Sequence, residues 1–335
     1  MDVTHIPQSI RGDPWFEDGN IILLADSEDS TAVAFKVHRG VLARHSEVFQ
    51  SMFEGAQPNE ESFEHCPVVR LHDIPVELSN LIKALYDGPH GLYHLRGIQD
   101  FFYFAGILRI SSKYCIAHLR TQAIRHLMQT WSHTLRGHDD MLERALNTPE
   151  EAGLSYPYVH PLHVLNLAKA TDVRIVVPSA VYFLSLYPLA DILRGEHPKL
   201  LVEHPSRPSS QLTTEDLQNY TLMFQYRVQL ILHFVRKTCG ARLPIQKCSN
   251  VTGCRKSFSQ LSNRLAREWL PRTGPIHFMS QAVDELTDFP EICGPCRAAF
   301  KKDVKVAREE AWNNLPMAIS LPPWDQLEAA EFAKS

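Results

Sequence analysis

The chain has 335 residues, 44% of them hydrophobic and 21% charged, with a net charge of −4 and a pI near 6.5. Its length exceeds one typical core, so two domains are the starting expectation, and no stretch has the low apolar content and high charge of a disordered chain. Seven cysteines, an odd and sparse count, argue against a secreted disulfide framework, and the mild acidity removes any global electrostatic pull toward nucleic acid.

Met1 to Asp18 lacks the basic cap and continuous apolar core of a secretory signal, and the most apolar stretch, Ile175 to Leu193, is broken by Pro178, Pro188 and Asp191. The expectation is an intracellular protein with no membrane span, nuclear or cytoplasmic. Charge is unevenly spread: between Arg236 and Arg308 there are 14 Lys and Arg against 6 Asp and Glu, a net +8, leaving −12 for the rest. A solvated basic helix face is the plain explanation, and an acidic partner the sharper one.

In chain order, Ile21 to Leu24 is a short apolar run, followed by the turn formers Asp26 to Ser30 and by alternating Val33, Phe35 and Val37, which together predict a hairpin. Ser46 is placed to cap a helix in which Phe49, Met52 and Phe53 share one face. A third strand at Val68 to Leu71 leads through Asp73 to Pro75, suited to a first helical turn, and Leu78, Leu81, Ile82 and Leu85 continue a helical stripe that Gly88-Pro89 ends. A further helix carries Phe101, Phe104, Ala105 and Leu108, and the spacing resumes through Leu119, Ala123 and Leu127.

Residues 131–160 are rich in polar and turn-forming types and read as a connecting segment. Beyond them helices are expected, opened by Pro161 and Pro178, with a long one from the capping box Thr213-x-x-Asp216 to Gly240 and a last one from Cys296 to Leu315 that Pro316 stops. The reading is α+β: a small sheet with helices over residues 15–130, a connector at 131–160, and an α-helical region over 161–320.

The first block resembles a BTB/POZ domain. The likeness is carried by Asp18 to Leu23, by Phe35 to Phe49, by Met52-Phe53, by Val69-x-Leu71-x-Asp73, and by Lys113-Tyr114 five residues ahead of Leu119. The remainder is similar to the expanded BTB family of mushroom-forming fungi, through His160-Pro161-Leu162-x-Val164-Leu165-x-Leu167-Ala168, Pro178-Ser179-Ala180, and Arg308-Glu309-x-x-Trp312-x-x-Leu315-Pro316 with Pro323-Trp324. The resemblance implies docking to other proteins, often self-association, and in some relatives recruitment of cullin-type ubiquitin ligases. Two departures bear on this. About 15 residues precede Phe16, short for the added helix and strand of swapped dimers, and Glu54 to Glu60 lacks the apolar-x-acidic element of cullin-binding members.

Trp15, Phe16, Phe49, Met52 and Phe53 are the candidate interaction residues, with core packing as the competing role for each. Two cysteine pairs, Cys248-x5-Cys254 and Cys293-x2-Cys296, have the residue types of a closed four-cysteine zinc site, with Cys239 or His277 as further ligand candidates; four unligated thiols are the alternative. Cys293-Gly294-Pro295-Cys296 also matches a thiol redox motif, but no buried strand precedes it and too little chain follows for a thioredoxin fold. No Gly-rich phosphate loop and no local nucleophile and base arrangement is present. The function expected is a non-enzymatic adaptor, the alternatives being a redox protein using Cys293 and Cys296, or a nucleic-acid-associated regulator using the basic 236–308 region, against which the lack of paired zinc-finger histidines argues.

Overall fold

The computed structural model describes residues 9–25, 32–55, 62–88 and 97–333. Its five strands are β1 (Ser9–Arg11), β2 (Ile21–Ala25), β3 (Ala32–Val37), β4 (Ser62–Phe63) and β5 (Cys66–Leu71), in the order β1-β3-β2-β5-β4. β2 lies antiparallel to β3, with Leu23 opposite Phe35, and parallel to β5, with Leu23 opposite Val69. The expected hairpin pairing is present, while its turn at Asp26 to Ser30 lies outside the described residues.

Every residue of β2 is buried, which explains why it reads as an unbroken apolar run and not as an alternation. Ile21, Leu23 and Ala25 join the main core together with Phe35, Val37 and Leu71. On the opposite face Ile22 and Leu24 pack with Ala32, Ala34, Cys66 and Val68, beneath Trp15 and Phe63.

Between β3 and β4 run α1 (Arg39–His45) and α2 (Glu47–Gly55). The Ser46 hydroxyl accepts the Phe49 N–H at 3.0 Å, capping α2 as expected, and donates to the Tyr114 carbonyl at 2.6 Å. α3 (Pro75–Asp87) has Pro75 in its first turn and ends at Gly88, whose φ of +71° suits a residue without Cβ; Pro89 lies outside the described residues. α4 (Ile98–Lys113) and α5 (Ala117–Thr130) complete the block. Asp73 ties it together, accepting the Lys113 ammonium at 2.7 Å and the Tyr114 hydroxyl. The spaced Asp and Lys-Tyr of the sequence are therefore bonded neighbours.

The segment expected as a connector is instead part of the core. It contains α6 (Leu135–Asn147), capped where the Thr134 hydroxyl accepts the Gly137 N–H at 3.1 Å. Trp131, His138 and Met141 are buried there, at spacings of seven and three. This narrow stripe sits among so many polar residues that composition conceals it.

Next come α7 (Pro161–Thr171), α8 (Val177–Leu184), α9 (Leu189–Arg194), α10 (Pro198–Leu201) and α11 (Thr214–His233), the last opened by the expected Thr213 and Asp216 capping box and continued by a wider helical turn over Phe234–Gly240. α12 (Val251–Glu268) and α13 (Pro275–Asp284) occupy the stretch between Gly240 and Glu291. α14 (Gly294–Asn313) follows. Pro316 does not stop the chain's helicity but sits in the first turn of α15 (Leu315–Ala318), and α16 (Trp324–Phe332) ends the described chain.

One core runs from Ile21 to Leu327 and draws in α7, α8, α15 and α16. A second, smaller core joins the end of α11 to α12, α13 and α14. Polar ties bind the late helices to the early block and the segment after it: Arg109, itself paired with Glu77 inside the block, to the Ser206 carbonyl at 2.7 Å, Arg120 to Glu331 at 2.8 Å, Arg308 to Asp139 at 2.6 Å, and the Trp312 indole N–H to the His133 carbonyl at 3.0 Å. No single helix among the described residues is long and apolar enough to cross a membrane.

Burial lowers the pKa of His118, His138, His160, His163, His197 and His204 below the ordinary 6.5, to about 3 for His160. The unfolded chain therefore takes up protons first as the pH falls. This stabilisation is complete above 6.5 and is lost progressively below it, down to about 3 at His160. A lower urea midpoint at pH 5.5 than at pH 7.5 is expected; an equal or higher one would contradict this account.

Candidate functional site

Phe49 and Phe53 are core residues, both buried, with the Phe49 ring stacked on Tyr114 at 4.2 Å. Of the α2 trio, Met52 alone is only partly buried. Trp15 and Phe16 belong to a segment that runs along β3, where Gly12 N–H bonds the Ala34 carbonyl at 2.8 Å and Phe16 N–H the Lys36 carbonyl at 2.9 Å. The two rings close that flank of the sheet. Phe16 stacks on Tyr86 at 4.3 Å, and Trp15 lies beneath the Arg11 guanidinium at 4.6 Å. Tyr86 in turn accepts the His38 N–H at 2.8 Å.

The second core holds the most concentrated chemistry. Cys248 lies in the loop before α12 and Cys254 in its first turn; Cys293 stands at the residue just before α14 and Cys296 lies in its first turn. The N-termini of two helices thus converge, an arrangement that favours thiolates. Asn250 holds them together, its amide oxygen accepting the Gly253 N–H at 3.0 Å while its amide nitrogen donates to the Glu291 carbonyl at 3.1 Å.

The four sulfurs lie within 4.8 Å of one another. Cys248 is 3.6 Å from Cys254 and 3.7 Å from Cys293. Four sulfurs held about 2.3 Å from a tetrahedral ion would be about 3.8 Å apart, whereas a covalent S–S bond is about 2.05 Å; all seven cysteines are free. The donor set therefore fits a metal ion.

Backbone N–H groups of Cys296 and Ser249 pull the Cys293 thiol down to about 6, while burial pushes Cys254 up to about 12. The Cys293 N–H also reaches the Cys254 sulfur at 3.3 Å. Such N–H donors support negative charge on sulfur.

All four predicted ligands are thus brought together. Cys239 is buried in the second core but lies outside the cluster, as does His277, whose charge acts on His138. The Cys293–Cys296 motif follows turns, not a strand, and both of its sulfurs belong to the four-sulfur group. Sequence reasoning missed α12, although Cys254, Phe258, Leu261 and Leu265 keep helical spacing. The signal was there once cysteine is counted as apolar. It also missed Arg227, a buried cation on α11 that donates to the carbonyls of Ser185, Pro271 and Thr273.

The fold is a small mixed sheet wrapped by paired helices and packed on a longer helical region. The BTB/POZ domain family model matches residues 20–130, from the start of β2 to the end of α5. The chain is a BTB domain-containing protein, and BTB/POZ domains are protein–protein interaction modules. Searches among curated proteins and among solved structures gave no match.

Cys115 is exposed, whereas Cys66 and Cys239 are buried, Cys239 with its thiol pushed up to about 12 by burial. In native protein treated with an aromatic disulfide reagent, Cys115 is expected to react in the fast phase, and Cys66 and Cys239 only after unfolding. Persistence of an undiminished fast phase in Cys115→Ser would refute the assignment.

Proposed function

We propose that this chain is a non-enzymatic adaptor that docks other proteins, and self-associates, through its BTB domain inside the cell. What carries the reading is the family match over residues 20–130, joined to a helical region through one shared core. The similarity of the remaining chain to the expanded BTB family of mushroom-forming fungi, carried by His160 to Ala168, Pro178-Ser179-Ala180 and Arg308 to Pro316 with Pro323-Trp324, is consistent with a two-part adaptor. Trp15, Phe16 and Met52 are the candidates for contact with a partner, since Phe49 and Phe53 fill the core. Cullin is not the proposed partner: the run Glu54 to Glu60 lacks the required element, and its residues from Ala56 onward lie outside the described residues. Nucleic acid is not proposed either. Light scattering at micromolar concentration is expected to give more than the monomer mass of 38.2 kDa; a strict monomer that binds no protein would overturn the reading.

The cysteine cluster is proposed to hold one structural zinc ion, supported by four sulfurs at tetrahedral spacing between two helix N-termini. Zinc there would pin α12 to α14 and leave no open coordination position for catalysis. Reduced protein is expected to carry about one equivalent of zinc, and Cys296→Ser to lose the metal and lower the melting temperature. Less than about half an equivalent in reduced wild-type protein would reject the site.

A further inference from the structure

An apolar groove lies outside the BTB domain, between the end of α8 and α11, lined by Tyr187, Pro188, Tyr220, Phe224, Leu270 and Pro271. Its outer wall is the loop between α12 and α13, and Leu270 on that loop is 63% exposed. Such a loop would not ordinarily hold a fixed wall. Here the buried Arg227 guanidinium fixes it, binding the Pro271 carbonyl at 2.9 Å and the Thr273 carbonyl at 3.0 Å from one side and the Ser185 carbonyl at 2.6 Å from the other. The groove is thus preformed.

Its rim is cationic. Arg272 borders the groove and is exposed, with no hydrogen-bond or ion-pair partner among the described residues. The Tyr187 hydroxyl likewise has no partner there, and burial holds it protonated, with its pKa pushed up to about 12, so it is a free donor. Behind Tyr187, at 5.0 Å ring to ring, stands His197, on which both Arg272 and Lys199 act. Lys199 is only 5% exposed and has no carboxylate partner among the described residues. The carboxylate acting on His197 from this side is Asp191. A buried ammonium and a free guanidinium beside an apolar cleft leave room for an anion.

We propose that this groove docks a linear segment of a partner protein in which an apolar side chain is followed by acidic residues. The apolar group fills the cleft over Tyr220 and Phe224, and the carboxylate takes the Arg272 guanidinium and the Tyr187 hydroxyl. The proposal rests on the adaptor reading and gives it a second contact point, outside the BTB domain.

The test is a methyl NMR titration of the full chain with two probe peptides, acetyl-Phe-Glu-Glu-amide and acetyl-Phe-Gln-Gln-amide, following the Leu270 methyl groups. Saturable shifts are expected with the acidic peptide, with affinity about fivefold or more weaker for the neutral one. Arg272→Glu, an exposed change, should remove that preference without lowering the melting temperature, and Tyr187→Phe should reduce it. Absence of saturable Leu270 shifts, equal affinity for both peptides, or indifference to Arg272→Glu would overturn the proposal. Light scattering on the same samples separates the two readings: self-association without peptide binding sinks the groove alone, and peptide binding by a strict monomer sinks BTB self-association alone.

Discussion

The architecture depends on the burial of one strand on both of its faces. β2 has no polar face to offer water, so something must cover each side. On one side α2, α3, α4 and α5 supply Phe49, Leu78, Leu108 and Leu119. On the other, the small Ala32 and Ala34 let Trp15 and Phe63 approach closely. With the parallel β2–β5 pairing already demanding a crossover, α1 and α2 have little choice of position. The order of elements in the BTB/POZ domain follows from satisfying that strand.

The helical region solves a different problem. α4 and α5 expose apolar surface that the early block does not cover alone, and α7, α8, α15 and α16 complete the same core. Where those helices meet the block, charged groups are tied across: Arg109, held by Glu77 within the block, donates to the Ser206 carbonyl, and Glu331 faces Arg120. Ion pairs this buried contribute more to a unique arrangement than to net stability. They fix how the docking module is held relative to everything that follows it.

The parts legible in the sequence were those with a local cause. The caps at Ser46 and Thr213, the first-turn prolines at Pro75 and Pro161, and the apolar run of β2 each carry their reason within a few residues. α6 and α12 were not read, because each buries only a thin stripe, and the surfaces receiving them, Tyr182 and Trp312 for His138, Phe300 for Phe258, come from far along the chain. The four cysteines could be named from spacing as a candidate set, beside the readings of free thiols and a redox pair, and it is the fold that brings their sulfurs within 4.8 Å. The groove could not, because Tyr187, Phe224 and Leu270 share no motif and meet only through the Arg227 tie.

The ring ladder at the far end of the chain bears on how the molecule comes into being. The Trp324 indole donates to the Trp312 carbonyl at 3.0 Å, Trp312 donates to His133, and Glu331 closes on Arg120 within the BTB block. During synthesis the early sheet emerges from the ribosome well before those partners exist. Until residues beyond Trp324 are released, the surface of α5 stays wet and Arg120 lacks its counter-ion. Closure of the shared core therefore waits on the synthesis of residues beyond Trp324, leaving an interval in which a nascent-chain chaperone would find exposed apolar surface to hold.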